Sequence, residues 1–176
     1  MITLLNKALS CYRYTPLLMA LIAIGALGLA LMSQYVFGLK PCNLCVIQRY
    51  PYGIIIALGL ISFLLSCKYK KQSILIMLLM GVTFLANSVI AFYHTGVELK
   101  WWKSFLEGCS APDLSGNIND LMARIEADTQ VVRCDEIPWA DPILGLSMAN
   151  YNVLFCFGLG ILSFYSAYKI NKALKP

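Results

Sequence analysis

Four stretches of this 176-residue chain contain no Asp, Glu, Lys or Arg: Thr15–Leu39, Tyr50–Cys67, Gln72–Val97 and Pro142–Tyr168. Each is at least 18 residues long, and about 20 apolar residues cross the ~30 Å hydrocarbon core of a bilayer as a helix. A helix also satisfies its own backbone hydrogen bonds, as the bilayer core demands. A soluble bundle would need amphipathic elements to cover four such helices, and too few remain. The chain is 59% hydrophobic and 13% charged, where a soluble domain carries about 25% charged residues. The predicted fold is an all-α membrane protein, a four-transmembrane-helix bundle in one domain spanning 1–176. Its helices are expected at about 15–39, 43–67, 72–97 and 142–168, with a long loop at 98–141. The first run exceeds the apolar region of a signal peptide, about 7–15 residues. Ser33-Gln34-Tyr35-Val36 makes a poor cleavage site, so the helix is expected to be retained.

Charge sets the orientation. Lys7 and Arg13, then Lys68, Lys70 and Lys71, then Lys169, Lys172 and Lys175 fall on one side, with no acidic residue among them. The other side holds Lys40, Arg49 and the 98–141 loop, which carries all nine acidic residues. Basic residues concentrate in cytoplasmic segments, so both termini are expected inside and the loop outside. Tyr35, Phe37, Tyr93, Trp101, Trp102 and Trp139 form an outer aromatic belt, and Tyr12, Tyr14, Tyr69, Tyr165 and Tyr168 an inner one. The net charge of +5 is thus a topology signal. Short juxtamembrane clusters of bases give no reason to expect nucleic-acid binding.

The cysteines then acquire addresses. Cys11 and Cys67 fall at the inner surface, and Cys156 near mid-membrane, where a small apolar packing role is expected. Cys42, Cys45, Cys109 and Cys134 fall outside, where disulfides persist, and an even set of four reads as two bridges. Cys109 and Cys134 enclose 24 residues, a loop whose closure stabilises by roughly 3–4 kcal/mol. A structural staple is one reading for them. Cys42 and Cys45, in KPCNLCVIQR, enclose almost no loop, so a staple there contributes little; such pairs are typical of thiol exchange or of zinc. Zinc sites usually pair two close cysteine pairs or add closely spaced histidines. Cys109 and Cys134 are 25 positions apart and the only histidine, His94, lies on a membrane helix, so no metal is expected. Val46 occupies the place where a c-type haem motif needs histidine.

A helix beginning near Cys42 or Asn43 would turn its positive end toward the two sulfurs and favour a thiolate. Arg49 follows Cys45 by four residues, on the same helical face and about 6 Å deeper. It reads either as a snorkelling anchor of the helix end or as a fixed cation beside the thiols. Pro51 either kinks this helix below Arg49 or marks where regular helix begins. His94, in AFYHTGVE, matches Cys45 and Arg49 in depth, and Glu98 lies four residues on. A thiol pair at lipid depth needs a lipid-soluble electron partner, and quinones fit that description. In the loop, Ile118, Leu121, Met122 and Ile125 fall at i, i+3, i+4 and i+7, the pattern of a short amphipathic helix lying on the membrane or on the protein.

Together, KPCNLCVIQRYPY at the head of the second helix, AFYHTGVE, the Cys109/Cys134 loop and CDEIPWADPILGLSMANYN resemble the DsbB family of bacterial inner-membrane thiol:quinone oxidoreductases. The likeness runs over almost the whole chain. It implies an enzyme that reoxidises a periplasmic DsbA-like dithiol protein and passes the electrons to membrane quinone, ubiquinone or menaquinone. It implies that Cys109 forms the mixed disulfide with the partner, and that Cys134 is its mate and exchanges with Cys42. Cys45 would be the thiolate that meets the quinone, with Arg49 beside it and His94 near the same site. One bundle would suffice as a monomer, with the active cysteines on the periplasmic side of the inner membrane. The competing classes are a scaffold with two structural bridges and a conduit for reducing power from the cytoplasm. The conduit would need cysteine pairs inside the membrane, where only single thiols occur. A transporter would need broken helices and more midplane polar residues than Asn87 and Ser88.

Overall fold

The computed structural model describes residues 14–65, 71–106, 109 and 132–174. Helix α1 spans Tyr14–Tyr35, α2 Asn43–Ile47, α3 Arg49–Leu65, α4 Gln72–Glu98 and α5 Met148–Leu174. Taking α2 and α3 as one span, Asn43–Leu65, four helices among the described residues are long and apolar enough to cross a membrane. The protein is an all-α, multi-pass membrane protein. Cys11, Cys67, the expected 118–125 helix and five of the inner-side bases (Lys7, Arg13, Lys68, Lys70 and Lys175) lie outside the described residues.

Local chemistry explains where these helices begin and end. Pro16 sits in the first turn of α1, where a missing N–H leaves no helical bond unmade. Gly38 then adopts a φ of 69°, the left-handed conformation that glycine enters without steric penalty. The turn lets Leu39 N–H reach back to the Ser33 carbonyl at 3.1 Å. The second span breaks at Gln48, between α2 and α3. Pro51 has no N–H to give the Ile47 carbonyl, so the ladder is interrupted four residues before the proline. At the far end of α4, Lys100 takes a φ of 59° and Trp101 N–H returns to the Gly96 carbonyl at 2.8 Å. Trp102 folds over Gly96 and stacks on Tyr93, ring centroids 5.9 Å apart. Before α5, the Asp141 carboxylate accepts from Leu144 N–H at 2.7 Å, and Ser147 Oγ caps the helix through Asn150 N–H at 3.2 Å.

The helices pack chiefly as two pairs, α1 with α3 and α4 with α5, joined by α3 against α4. Glycines set the closeness of both pairs. A Cβ on Gly59 would lie 2.4 Å from Ala20 Cβ and 2.7 Å from the Pro16 carbonyl, and one on Gly160 2.7 Å from Leu85. With lipid outside, close contact between backbones replaces the hydrophobic drive that packs soluble helices. The shared core contains Met19 and Ala23 of α1, Ile55 of α3, Met77, Met80 and Phe84 of α4, and Ile170 of α5. Outward positions are apolar as well; Leu64 is 75% and Val89 68% exposed, which suits lipid and not water.

Candidate functional site

Cys42 lies immediately before α2 as its N-cap, with extended backbone (φ −77°, ψ 171°), and its sulfur accepts the Cys45 backbone N–H at 3.4 Å. Cys42 and Cys45 are free thiols with sulfurs 3.3 Å apart. His94 brings Nε2 to 3.5 Å from the Cys42 sulfur. These neighbours act on the thiol: hydrogen bonding with Cys45 is the largest influence, and together with His94 it outweighs burial and holds Cys42 far below the ordinary thiol value of 9.0. In the dithiol, the sulfur that gathers stabilising donors is therefore Cys42.

The second pair arrives from the loop. Cys109 and Cys134 form a disulfide, both fully buried. Cys134 N–H donates to the Cys109 carbonyl at 3.2 Å, and Arg133 is held by both Asp135 oxygens, at 2.9 and 2.8 Å. This bridge packs with Cys42, Leu44 and Val97 in a small apolar cluster separate from the main core. The sulfurs of Cys42 and Cys134 and a His94 nitrogen all lie within 4.8 Å of one another. Three such atoms together have the look of metal ligands, but the Cys134 sulfur is already bonded to Cys109, and a disulfide sulfur is no thiolate donor. The arrangement suits thiol–disulfide exchange, in which a thiolate approaches a disulfide sulfur.

Cys45 packs at the edge of the same cluster and also reaches a second space. It lines a cavity of about 630 Å³ walled by α1 and α5. Ile22, Ala26 and Leu29 line it from α1 and Phe155 from α5; Arg49, Gln48 and His94 contribute the polar groups at the cysteine end. Arg49 is half-buried and donates from Nη1 to Gln34 Oε1 on α1 at 2.7 Å. Among the described residues no ion pair involves Arg49. Gln34 is neutral, so among the described residues no carboxylate neutralises the Arg49 charge beside the cavity. Thus Cys45, Arg49 and His94 share one cavity, while Cys42 and His94 meet the loop disulfide.

Sequence reasoning missed a polar chain behind His94. Gln48 Nε2 lies 2.9 Å from His94 Nδ1, and Gln48 Oε1 accepts from Asn152 Nδ2 at 2.6 Å. Asn152 Oδ1 in turn accepts from the Tyr52 hydroxyl and from the Cys156 thiol at 3.3 Å. Cys156 is therefore more than an apolar filler. It packs in the core, but its sulfur also contacts Tyr52 at 3.2 Å and Asn87 at 3.4 Å. The interior of the bundle is correspondingly more polar than Asn87 and Ser88 alone suggested. Glutamine and asparagine inside charge-free runs were the available signal, since polar side chains in a bilayer need partners. Glu98, also buried, places Oε1 3.7 Å from His94 Nε2 and accepts from Ser147 through Oε2.

The pattern of the family described as disulfide bond formation protein DsbB matches residues 12–166 of this chain. Disulfide bond formation protein B of Cupriavidus necator is 32% identical over 145 residues, covering 80% of this chain and 83% of that protein. Its counterpart in Xanthomonas axonopodis pv. citri is 27% identical over 170 residues, 92% and 94% of the two chains. A Rickettsia prowazekii protein without an assigned function is 29% identical over 175 residues, 92% of each. Four membrane helices, two cysteine pairs brought face to face and a match over nearly the full length lead to one conclusion: this chain belongs to the DsbB family of disulfide bond formation proteins, and is a membrane oxidoreductase.

Proposed function

We propose that this protein reoxidises a periplasmic DsbA-like dithiol protein and passes the electrons through its two cysteine pairs to membrane quinone. The observation that carries this reading is the division of labour within one CxxC: Cys42 abuts the Cys109–Cys134 disulfide, while Cys45 lines an apolar cavity with Arg49. The cysteine end of the bundle faces the periplasm and both termini the cytoplasm, as the distribution of bases favours.

The relay begins when a donor thiolate attacks Cys109, breaking the Cys109–Cys134 bond and leaving the electron pair on Cys134. Cys134 then attacks Cys42 of an oxidised Cys42–Cys45 pair, and Cys45 departs as thiolate. Resolution of the donor–Cys109 bond oxidises the donor and frees the Cys109 thiolate. That thiolate attacks Cys134, restoring the Cys109–Cys134 disulfide and releasing Cys42. The thiols at 42 and 45 and the bridge at 109–134 correspond to the state after this transfer.

The cavity fits a quinone by its chemistry. Its walls are mostly apolar, and a few polar groups converge at one end beside a sulfur, the usual form of a small-molecule site. Bound there, a quinone supplies the acceptor for the two electrons and two protons of the Cys42–Cys45 dithiol. Arg49 presents a fixed cation to the same space, where negative charge develops during transfer. Cys45 presents the reacting sulfur, and α1 and α5 wall the space beside it. Ubiquinone and menaquinone both suit these walls.

The test is quinone reduction by purified protein in detergent, with a reduced DsbA-like protein as donor, beside a Cys45→Ser variant. Reduction that requires Cys45 supports the relay. With neither common quinone reduced and all four outer cysteines stably bridged, the bridges would be structural and the proposal wrong.

A further inference from the structure

The polar chain behind His94 has a direction. The Tyr52 hydroxyl and the Cys156 thiol both lie against Asn152 Oδ1, and Asn152 Nδ2 faces Gln48. Gln48 meets that amide with Oε1 at 2.6 Å, and its own Nε2 faces His94 Nδ1 at 2.9 Å. A glutamine NH2 only donates, so Nδ1 must accept, and the proton of a neutral imidazole then sits on Nε2. Nε2 is the nitrogen 3.5 Å from the Cys42 sulfur and 3.7 Å from Glu98 Oε1, both acceptors when ionised. The demand from each side of the ring is the same. His94 is only 3% and Gln48 only 7% exposed, so little water competes for either contact.

We propose that Gln48, Asn152 and Tyr52 are positioning residues that lock His94 as its Nε2–H tautomer, aimed at Cys42, so that His94 serves cysteine exchange and not only the cavity. The inference rests on the relay reading for its consequence, but not for its observation. When the Cys109 thiolate attacks Cys134, the Cys42–Cys134 bond breaks with both electrons on Cys42. The Nε2–H is already in place to stabilise that leaving sulfur; the opposite tautomer would present a lone pair to it. No outside oxidant enters this step. The Cys109–Cys134 bond forms as the Cys42–Cys134 bond breaks. Orientation of an imidazole through its second nitrogen is the general means by which proteins set its role.

The chain has a single histidine, so isotopic nitrogen labelling of histidine reports on His94 without assignment, provided the protein is purified through a tag free of histidine. The protein would be held in detergent with Cys42 and Cys45 reduced. The expected spectrum has a pyrrole-like Nε2 and a pyridine-like Nδ1. Gln48→Glu places an acceptor opposite Nδ1, and Nδ1 should then gain a proton. Asn152→Leu frees the Gln48 amide, and a second population protonated at Nδ1 should emerge; this variant serves if Gln48→Glu does not fold. A parent protein carrying the proton on Nδ1 overturns the proposal, as does a nitrogen pattern unchanged in the folded variants. The readout needs neither donor nor quinone, so its failure is distinguishable from failure of the relay.

Discussion

Replacing Arg49 with methionine removes the cation beside the cavity while keeping most of its length and apolar stem. The structure sets the size of the expected effect. Arg49 has a neutral partner, Gln34, at 2.7 Å and no ion pair among the described residues, so its charge is not already neutralised by a carboxylate. A hydrogen bond to a charged group contributes about 1.5–3 kcal/mol. If that bond forms to an acceptor oxygen as charge develops, its loss lowers kcat/KM for quinone by about 10- to 150-fold. The Gln34 contact limits the collateral damage, because the freed, half-buried amide can turn to other partners. Arg49→Lys keeps charge but loses the planar fork, and an intermediate loss is expected. The assay is loss of quinone absorbance at varied quinone concentration with reduced donor in excess. A parallel single-turnover measurement follows electron transfer from donor to the Cys109–Cys134 bridge without quinone, which Arg49→Met should leave near the parent rate. Unchanged kcat/KM for quinone, or an equal loss in the donor half-reaction, would refute a role for Arg49 at the acceptor side.

Cysteine geometry and helix packing give three more expectations. In Cys45→Ala, Cys42 has lost its CxxC partner and its sulfur lies within 4.8 Å of Cys134. A bond at about 2.05 Å then needs only a small approach, so peptide mapping under non-reducing conditions should find Cys42 joined to Cys134 and Cys109 free; recovery of only the 109–134 bridge would argue against exchange at this pair. In the dithiol parent, the lowered Cys42 value means that thiolate ultraviolet absorbance persists as pH falls well below 9.0 and disappears only as pH passes the depressed value. The linked stabilisation of the folded dithiol is thus fully present above the unfolded thiol's range and lost toward acid. Cys45→Ala removes the largest influence and should move the transition upward, with Cys42→Ala as the spectral blank. Finally, Gly59→Val should lower the thermal midpoint in detergent, because even a Cβ there meets Ala20 at 2.4 Å, and overpacking costs about 1–3 kcal/mol. Gly28→Ala, with open space around it, should not lower the midpoint; equal losses would mean that α1 and α3 are not held at backbone contact.

The contrast between the legible and hidden parts of this site follows from where each signal resides. Membrane helices announce themselves because the bilayer excludes charge from a whole contiguous run, and Thr15–Leu39 or Pro142–Tyr168 satisfies that rule without reference to any other segment. The CxxC is equally local: its spacing alone makes a structural staple a poor reading of Cys42 and Cys45. The break at Gln48 was half visible, since Pro51 signals a lost bond but not which of its two consequences follows. The Gln48–Asn152–Tyr52–Cys156 chain draws on α3, α5 and the turn between α2 and α3. No periodicity within one helix reveals that four side chains from different segments share a depth and a direction. Cys156 shows the point most clearly. Within FCFGLG it reads as one more small apolar residue, and only the approach of Tyr52 from α3 and Asn87 from α4 turns its thiol into part of a hydrogen-bonded chain. The division of roles within the CxxC is hidden for the same reason. Cys45 lines the α1–α5 cavity and Cys42 does not, a difference that arises only once the loop bridge and the cavity have both formed. Chemistry between segments is thus encoded by isolated polar residues in apolar runs, each of which demands a partner that the run itself does not contain.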